Sequence, residues 1–593
     1  MFLIYKCISD LDVYLESILE HTNRALAEII TSDAAASKML LPPTSRFLYL
    51  IAYLNIISHG VQANWQYKSR PDLSPPTLNI TISHPQHLSP GYIFVAPYST
   101  VKTNPLNHGP LQPGPYIFTT SGELVWSGFS YAVGFVTNFQ AANINGQDVL
   151  FAIESRRNVR HVHGHGYVKI WDKSYRAIKE VRAAGHRLLD IHEFHVLDGK
   201  TALVESYEPR PYDLRAYGAG PASQWVVEGV FQEVDINSGK LVFEWRSLDH
   251  VGVDESVESI SSGKFGTGHN STDALDYFHI NSVDRDSEHN YLISARHTST
   301  IYKINGTTGD VIWRLGGKHS NFTLKEGVEF GLQHHARFIS RSDDGDEIIS
   351  IFDNSGPASE KHGTYANKSS GKIISLNTDS WTATLLQGFS PPDSPQSPIF
   401  AANQGSTQIL LNGNAFINWG SAGAVTEYSS NGSVVFHAYL DSGDLYTNGA
   451  VQNYRAFKFN WTGTPHEDPA FVALGHGEST VLYVSWNGDT ETRVWEFFGV
   501  RFNGTGMDRS SGEDGESKKR HVWLGKVERE GFETSFYVFS GSDWSGFYAR
   551  SLDGDGKVLV ETGVVGVRPY IYPYVPGRDD LFLGEELQTV LGM

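Results

Sequence analysis

YIFTTSGELVWSG (116–128), VFQEVDINSGKLVFEW (230–245) and TIYKINGTTGDVIWRLGG (300–317) are three versions of one pattern. A β-branched and aromatic run meets a Gly, Asn or Asp turn, and a second run follows that carries a Trp. Weaker copies occupy 168–181, 372–386, 424–440, 484–497 and 547–561, so that turns fall near 122, 174, 239, 309, 378, 432, 488 and 555. Two strands joined by a tight turn cannot bury both faces. Stacking such units around an axis buries them and leaves only short edges. The spacing therefore predicts an all-β chain folded as a β-propeller. A blade can hold two hairpins, so the pattern allows six to eight blades. A pair of β-sandwiches would not explain regular units over so long a stretch.

Working outward, no long helical pattern stands after residue 65. Residues 505–520 and the Pro/Ser-rich 390–398 read as polar insertions. The chain has 593 residues, 58 Gly and 12% aromatic residues, a composition suited to a long repeat fold. A net charge of −19 argues against nucleic acid as a partner, yet a local Arg/His cluster can still bind a small anion. Cys7 is the single cysteine, which excludes a disulfide framework and a Cys-rich zinc site.

Residues 39–63 have the layout of a secretory signal peptide. Arg46 precedes the apolar stretch Phe47 to Ile57, and Val61-Gln62-Ala63 follows as a small-x-small cleavage pattern. The apolar run is too short to span a bilayer comfortably. Residues 1–38 precede it and read as a gene-model extension, with translation starting at Met39, or else as an amphipathic helix. The N-terminal extension is thus expected to be disordered or helical, and 64–593 to form the propeller. Sequons begin at Asn79, Asn270, Asn305, Asn321, Asn367, Asn431, Asn460 and Asn503. Together these features predict a glycoprotein of the secretory pathway, extracellular or lumenal, with no stable membrane span in the mature chain.

Four His-bearing stretches could carry chemistry. They are HVHGHGY (His161, His163, His165), DIHEFH (His192, His195), DYFHINSV with SARHTST (His279, Asn281, Arg296, His297) and LQHHARF (His334, His335, Arg337). A lone His beside aromatic rings is ordinarily a structural residue. HxHGH could suggest a metal, but its spacing specifies no three- or four-ligand set. Taken together the stretches say more. Each falls in or beside a strand of a different repeat, and inner strands of a propeller line one channel. Several imidazoles and an Arg in one funnel form an anion site, with a neutral imidazole as nucleophile or base.

DYFHINSVDRDSEHNYLISARHTSTIYKINGTTGDVIWRLGG (276–317) is similar to the central segment of arylsulfotransferases, including their fungal branch. GHGY (164–167), DIHEF (190–194) and QHHAR (333–337) resemble further landmarks in the same order. The resemblance implies a six-bladed propeller and sulfuryl transfer from a phenolic sulfate ester to a phenol, with no nucleotide donor and no cofactor. By motif match His334 would be the nucleophile that becomes sulfohistidine. His279, Asn281 and Arg296 would hold the sulfuryl oxygens, and His192 would donate to them or protonate the leaving phenolate. His335, His165 and Arg337 are further substrate-binding candidates on the same landmarks. One departure stands out: the family pattern is usually QHDAR, and here His335 replaces the Asp. Either His334 or His335 could then face the channel, since adjacent strand residues point to opposite sides.

Three functions remain open on sequence alone. The first is an arylsulfotransferase for small phenolic compounds. The second is a cyclase or isomerase of natural-product metabolism on the same scaffold, and the third is a non-catalytic binding propeller. The His279, Asn281, Arg296 and His334 set argues against the third. Oligomeric state is not legible.

Overall fold

The computed structural model describes residues 67–99, 110–158, 163–257, 259, 262–355, 368–393, 399–440, 451–476, 479–502, 519–539 and 544–569. All of them fall in the compact unit Asn64–Met593. The expected extension 1–38 and signal peptide 39–63 lie outside the described residues, as do His161, Asn367, Asn503 and most of the two polar insertions.

The chain is all-β, and its described residues contain strands and short 3-10 turns but no α-helix. Most strands fall into small antiparallel sheets. In chain order, the first sheet holds Tyr92–Val95, Tyr116–Phe118 and Leu124–Ser127, with Phe457–Phe459 added beside Tyr92–Val95. The second runs through Phe135–Ile144, Gln147–Arg157, Gly164–Trp171 and Ala177–Val181. The third runs through Phe194–Leu197, Thr201–Pro211, Trp225–Asp235 and Leu241–Arg246. The fourth contains Ile280–Arg285, Tyr291–Ala295, Thr300–Ile304 and Val311–Gly316. The fifth contains His334–Arg341, Glu347–Asp353, Ser370–Asn377 and Thr382–Phe389, with Thr323–Leu324 parallel on its outer edge. The sixth contains Ser406–Ile409, Ala415–Asn418, Ala424–Tyr428 and Val434–Leu440, with Leu78–Ser83 on its outer edge.

Alternation of apolar residues gives each sheet two faces to bury, and the core lies between successive sheets. Tyr207, Phe231 and Trp245 of the third sheet pack with Tyr291 and Tyr302 of the fourth. Trp126 of the first packs with Leu150 and Trp171 of the second. The turns expected near 122, 174, 239, 309, 378 and 432 each join the last two strands of one of these sheets. First strands of neighbouring sheets touch from the second sheet through to the sixth. Phe457–Phe459 touches both Phe135–Ile144 and Ala415–Asn418.

The turns near 488 and 555 belong elsewhere. Residues 470–569 build two further sheets. The segment around 488 does not close a hairpin. It links Ser479–Ser485 of one sheet to Val494–Phe502 of the other. Local strand–turn–strand chemistry is the same whether the two runs pair with each other or not, and partner choice is non-local.

The GHGY landmark also sits differently from expectation. Gly164–Trp171 is the third strand of its sheet, not an edge strand. Its glycines serve close approach: a Cβ on Gly166 would stand 2.1 Å from the Glu154 carbonyl oxygen. His165 is exposed there, and His163 stacks on Tyr207 at 5.2 Å between ring centroids.

Candidate functional site

Backbone at or near the first strands of four sheets is unusual. Asn138, His279, His335 and Gln404 have φ of 55°, 53°, 53° and 66°. The pairing register shifts beside the first three, between Thr137 and Gln140, Ile280 and Ser282, and His334 and Arg337. A left-handed residue at a bulge re-aims the neighbouring side chain, and such strained positions cluster at functional sites.

These bulges open onto a cavity of about 160 Å³ lined by Tyr98, Phe135, Arg157, Ile191, His192, Lys264, Phe265, Asp276, His279, Arg296, His297, His334, Asn403, Gln404 and Tyr454. A space of that size holds roughly one aromatic ring. His192, His279 and Arg296 arrive from the turns flanking the third and fourth sheets, and His334 from the start of the fifth. All four side chains line the cavity.

Each imidazole is anchored at Nδ1. His192 bonds the Asp190 carboxylate, and His279 bonds Asp276 Oδ2 at 2.5 Å. His297 donates to the Asp276 carbonyl oxygen at 2.6 Å. His334 Nδ1 lies 2.6 Å from Asn354 Oδ1. The Asn354 amide is itself oriented, because its Nδ2 donates to the Ala401 and Gln404 carbonyl oxygens at 2.8 and 2.9 Å. Its Oδ1 is therefore an acceptor, and His334 carries its proton on Nδ1 with its lone pair on Nε2. The Gln404 backbone N–H meets that lone pair at 3.3 Å.

Burial, followed by the charge of Arg296, holds His334 well below the usual imidazole range. Burial, then His192 and Arg296, does the same to His279. Neutral imidazole is thus the resting form at both. The rings pack closely, with centroids 4.9 Å apart for His192 and His279 and 4.4 Å for His279 and His297. Tyr454 closes the other side, and its hydroxyl has no hydrogen-bond partner among the described residues.

The remaining expected residues lie behind the cavity. Asn281 spends its Nδ2 on the Gln333 carbonyl oxygen at 2.8 Å, so it steadies the residue before His334. Arg337 donates to Glu193 Oε2 at 2.7 Å. His335 is buried; its Nδ1 accepts the Thr407 N–H at 3.3 Å and its ring packs on Phe457. The bulge thus answers which His faces the cavity: it is His334. The sequon residues Asn79, Asn270, Asn305, Asn321, Asn431 and Asn460 are all at least partly exposed.

Sequence reasoning missed the charged hub beneath. Arg455 is fully buried and donates to Glu193 Oε1 at 2.9 Å, Asn138 Oδ1 at 3.1 Å and the Asn281 carbonyl oxygen at 2.6 Å. Burial works against the Glu193 carboxylate, but Arg337 and Arg455 outweigh it and hold its pKa down. The Asp partners were legible as D-x-H at 190–192 and D-x-x-H at 276–279. Arg455 and Tyr454 had no sequence signal, since NYRAF belongs to no copy of the repeat.

Two groups bring possible metal ligands within 4.8 Å of one another: Asp276, His279, His297 and Asp190, His192, Glu205. Ligands 2.0–2.2 Å from one tetrahedral ion stand roughly 3.3 Å apart. The 2.5 Å between His279 Nδ1 and Asp276 Oδ2 is instead hydrogen-bond spacing. At this spacing His279 and Asp276 form a hydrogen-bonded His–carboxylate pair.

Glu205 is the other buried acid near them. Both its oxygens lack a hydrogen-bond partner among the described residues, and burial, then Glu193 and Asp190, push its pKa well above the usual range. This predicts an opposed pH dependence. The folded chain keeps the Glu205 proton that the unfolded chain loses above about pH 4.3, so this group costs stability as pH rises. His279, His297, His334 and His335 are all held low, so the folded chain binds fewer protons below about pH 6.5 and loses stability as pH falls. Each group contributes at most about 1.4 kcal/mol per pH unit. Four protons outweigh one, and unfolding midpoints should drop on the acid side. Glu205→Gln should be more stable than wild type by about 1–3 kcal/mol at pH 7 and equal to it near pH 4, as urea unfolding at both pH values would measure.

An all-β chain with a bulge-lined cavity of anchored imidazoles, an arginine and aromatic walls has the makings of a small-molecule site. Residues 140–441, a little over half of the chain, match the arylsulfotransferase family model, and the chain belongs to that family. No curated protein matches the chain. Among solved structures, a protein of unknown function from Bacteroides caccae is 12% identical over 62% of this chain and 98% of its own, with a TM-score of 0.33. Hydrazine synthase from Kuenenia stuttgartiensis is 12% identical over 63% and 80%, with a TM-score of 0.29. A GH43 protein from Bacillus licheniformis is 10% identical over 72% and 89%, with a TM-score of 0.25.

Proposed function

We propose that the six sheets form a β-propeller whose axial cavity moves a sulfuryl group from an aryl sulfate ester to a phenol through a sulfohistidine at His334. The propeller reading is supported by the succession of contacts between first strands and by Phe457–Phe459 joining the first sheet. The observation that carries the chemistry is the anchoring of His334. Asn354 fixes its proton on Nδ1 and leaves the lone pair on Nε2, which attacks once it gives up the long Gln404 N–H bond.

In the first displacement, Nε2 attacks sulfur, the N–S bond forms and the S–O bond to the phenolate breaks. His192, oriented by Asp190, is the group suited to give the phenolate its proton. In the second, an acceptor phenol oxygen attacks sulfur, the N–S bond breaks, and the phenol proton returns to His192. Charge spreads over the sulfuryl oxygens during transfer, much as in phosphoryl transfer. Arg296, the Tyr454 hydroxyl and the Gln404 N–H are donors placed to stabilise it. His279 can join them on taking up a proton, which Asp276 would balance.

The QHHAR departure is compatible with this reading. The charges that act on His335 are Arg337, Arg455 and His195. The family's usual Asp would therefore alter charge balance behind the cavity floor, where Glu193 already faces both arginines. The sequence features at 39–63 and the exposed sequon residues support passage through the secretory pathway.

Mass spectrometry after mixing the protein with an aryl sulfate ester and no acceptor tests the proposal. The expected result is one sulfuryl group on His334, absent from His334→Ala. Folded protein that gains no adduct from several donors would overturn it and favour a cyclase or isomerase in the same cavity.

A further inference from the structure

The cavity has a second positive end. Arg157 ends the long strand Gln147–Arg157 and forms part of the cavity wall, and among the described residues it makes no ion pair. Its guanidinium lies 5.2 Å from the Phe135 ring centroid and 5.9 Å from that of Tyr98. Those two rings meet edge to face at 4.6 Å. The guanidinium is thus held in place by aromatic faces, which leaves its planar fork of donors unspent on any carboxylate.

Among the described lining residues no other anion balances it. Asp276 is the one carboxylate among the lining residues, and its Oδ1 and Oδ2 accept from His279 N and Nδ1. Arg296 already supplies the charge needed for one sulfuryl group at the floor. A ligand with a single negative group would leave the partly exposed Arg157 fork without an anionic partner. A second cavity of about 310 Å³ shares Tyr98, Phe135 and Arg157 with the first, so Arg157 stands at a junction that a ring substituent can reach.

Resting on the sulfuryl-transfer reading, we propose that Arg157 is a specificity-determining residue and that the substrates are phenols bearing a carboxylate on the ring, with Arg157 pairing that carboxylate. The ring occupies the one-ring cavity, its phenolic oxygen faces His334, and its acid reaches the Arg157 fork. A chain that is strongly acidic overall then selects an acidic substrate through the local cations of its cavity, Arg157 foremost.

Calorimetric titration with 4-hydroxybenzoate and with phenol tests this without requiring any transfer. Wild-type protein should bind 4-hydroxybenzoate at least tenfold more tightly than phenol. Arg157→Gln should lose that preference while binding phenol as before, and Arg157→Lys should keep part of it. Equal affinities for the two ligands in wild type, or a preference that survives in Arg157→Gln, would overturn the proposal. The adduct experiment on His334 reports on sulfuryl transfer separately. Carboxylate preference without an adduct would retain the Arg157 site and reject the transfer, and an adduct without preference would do the reverse.

Discussion

Arg296→Ala should slow sulfurylation of His334 by about 10²- to 10³-fold, the usual loss for one transition-state donor. Arg296 is the cation at the cavity floor that stays charged at every working pH, whereas His279 and His334 rest neutral. In the transition state the sulfuryl oxygens gain charge before a new bond is complete, and a fixed guanidinium is worth more there than in the bound ester. The loss should therefore fall mainly on the rate at saturating donor rather than on donor affinity. Arg296 also donates to the Ala402 carbonyl oxygen at 3.3 Å, which ties the turn after Tyr291–Ala295 to the approach of the sixth sheet. Arg296→Lys keeps charge and should recover part of the rate if electrostatics dominates. Rapid-quench measurement of adduct formation separates the two parameters, and a change below tenfold in Arg296→Ala would remove it from the proposed mechanism.

Arg455→Met should destabilise the fold by about 3–5 kcal/mol, the cost of leaving a buried charge without its partner. Arg455 and Glu193 are both fully buried, and Arg455 reaches strands of the second and fourth sheets as well. Removing the cation leaves Glu193 with Arg337 alone and frees the Asn281 carbonyl oxygen. The double change Glu193→Gln with Arg455→Met removes both charges and should recover a good part of the loss. Urea unfolding of the single and double variants measures this, and equal losses in both would place the effect in packing instead of charge.

What was legible in the sequence follows from range. The hairpins at 116–127, 225–246 and 300–316 were readable because a tight turn between β-rich runs is a local instruction. His192, His279, Arg296 and His334 were readable because their motifs keep fixed short spacings. The roles of Asn281, Arg337 and His335 were not. A bulge at 334–337 shifts which side chains face inward, and simple alternation cannot foresee it. Arg455 was hidden because its partners, Asn138, Glu193 and Asn281, lie between 174 and 317 residues away in the chain.

The strand Phe457–Phe459 pairs with Tyr92–Val95, more than 360 residues earlier. A ribosome adding roughly 5–20 residues per second needs tens of seconds to make that length. During that time the second to sixth sheets can form as they emerge, but the first sheet waits with an open edge. Arg455 and Tyr454 arrive on the same short segment as the closing strand. Completion of the cavity is thus tied to the making of residues 454–459: until then Glu193 lacks one of its two cations, and a nascent chain stalled before residue 454 holds four histidines without a finished pocket around them.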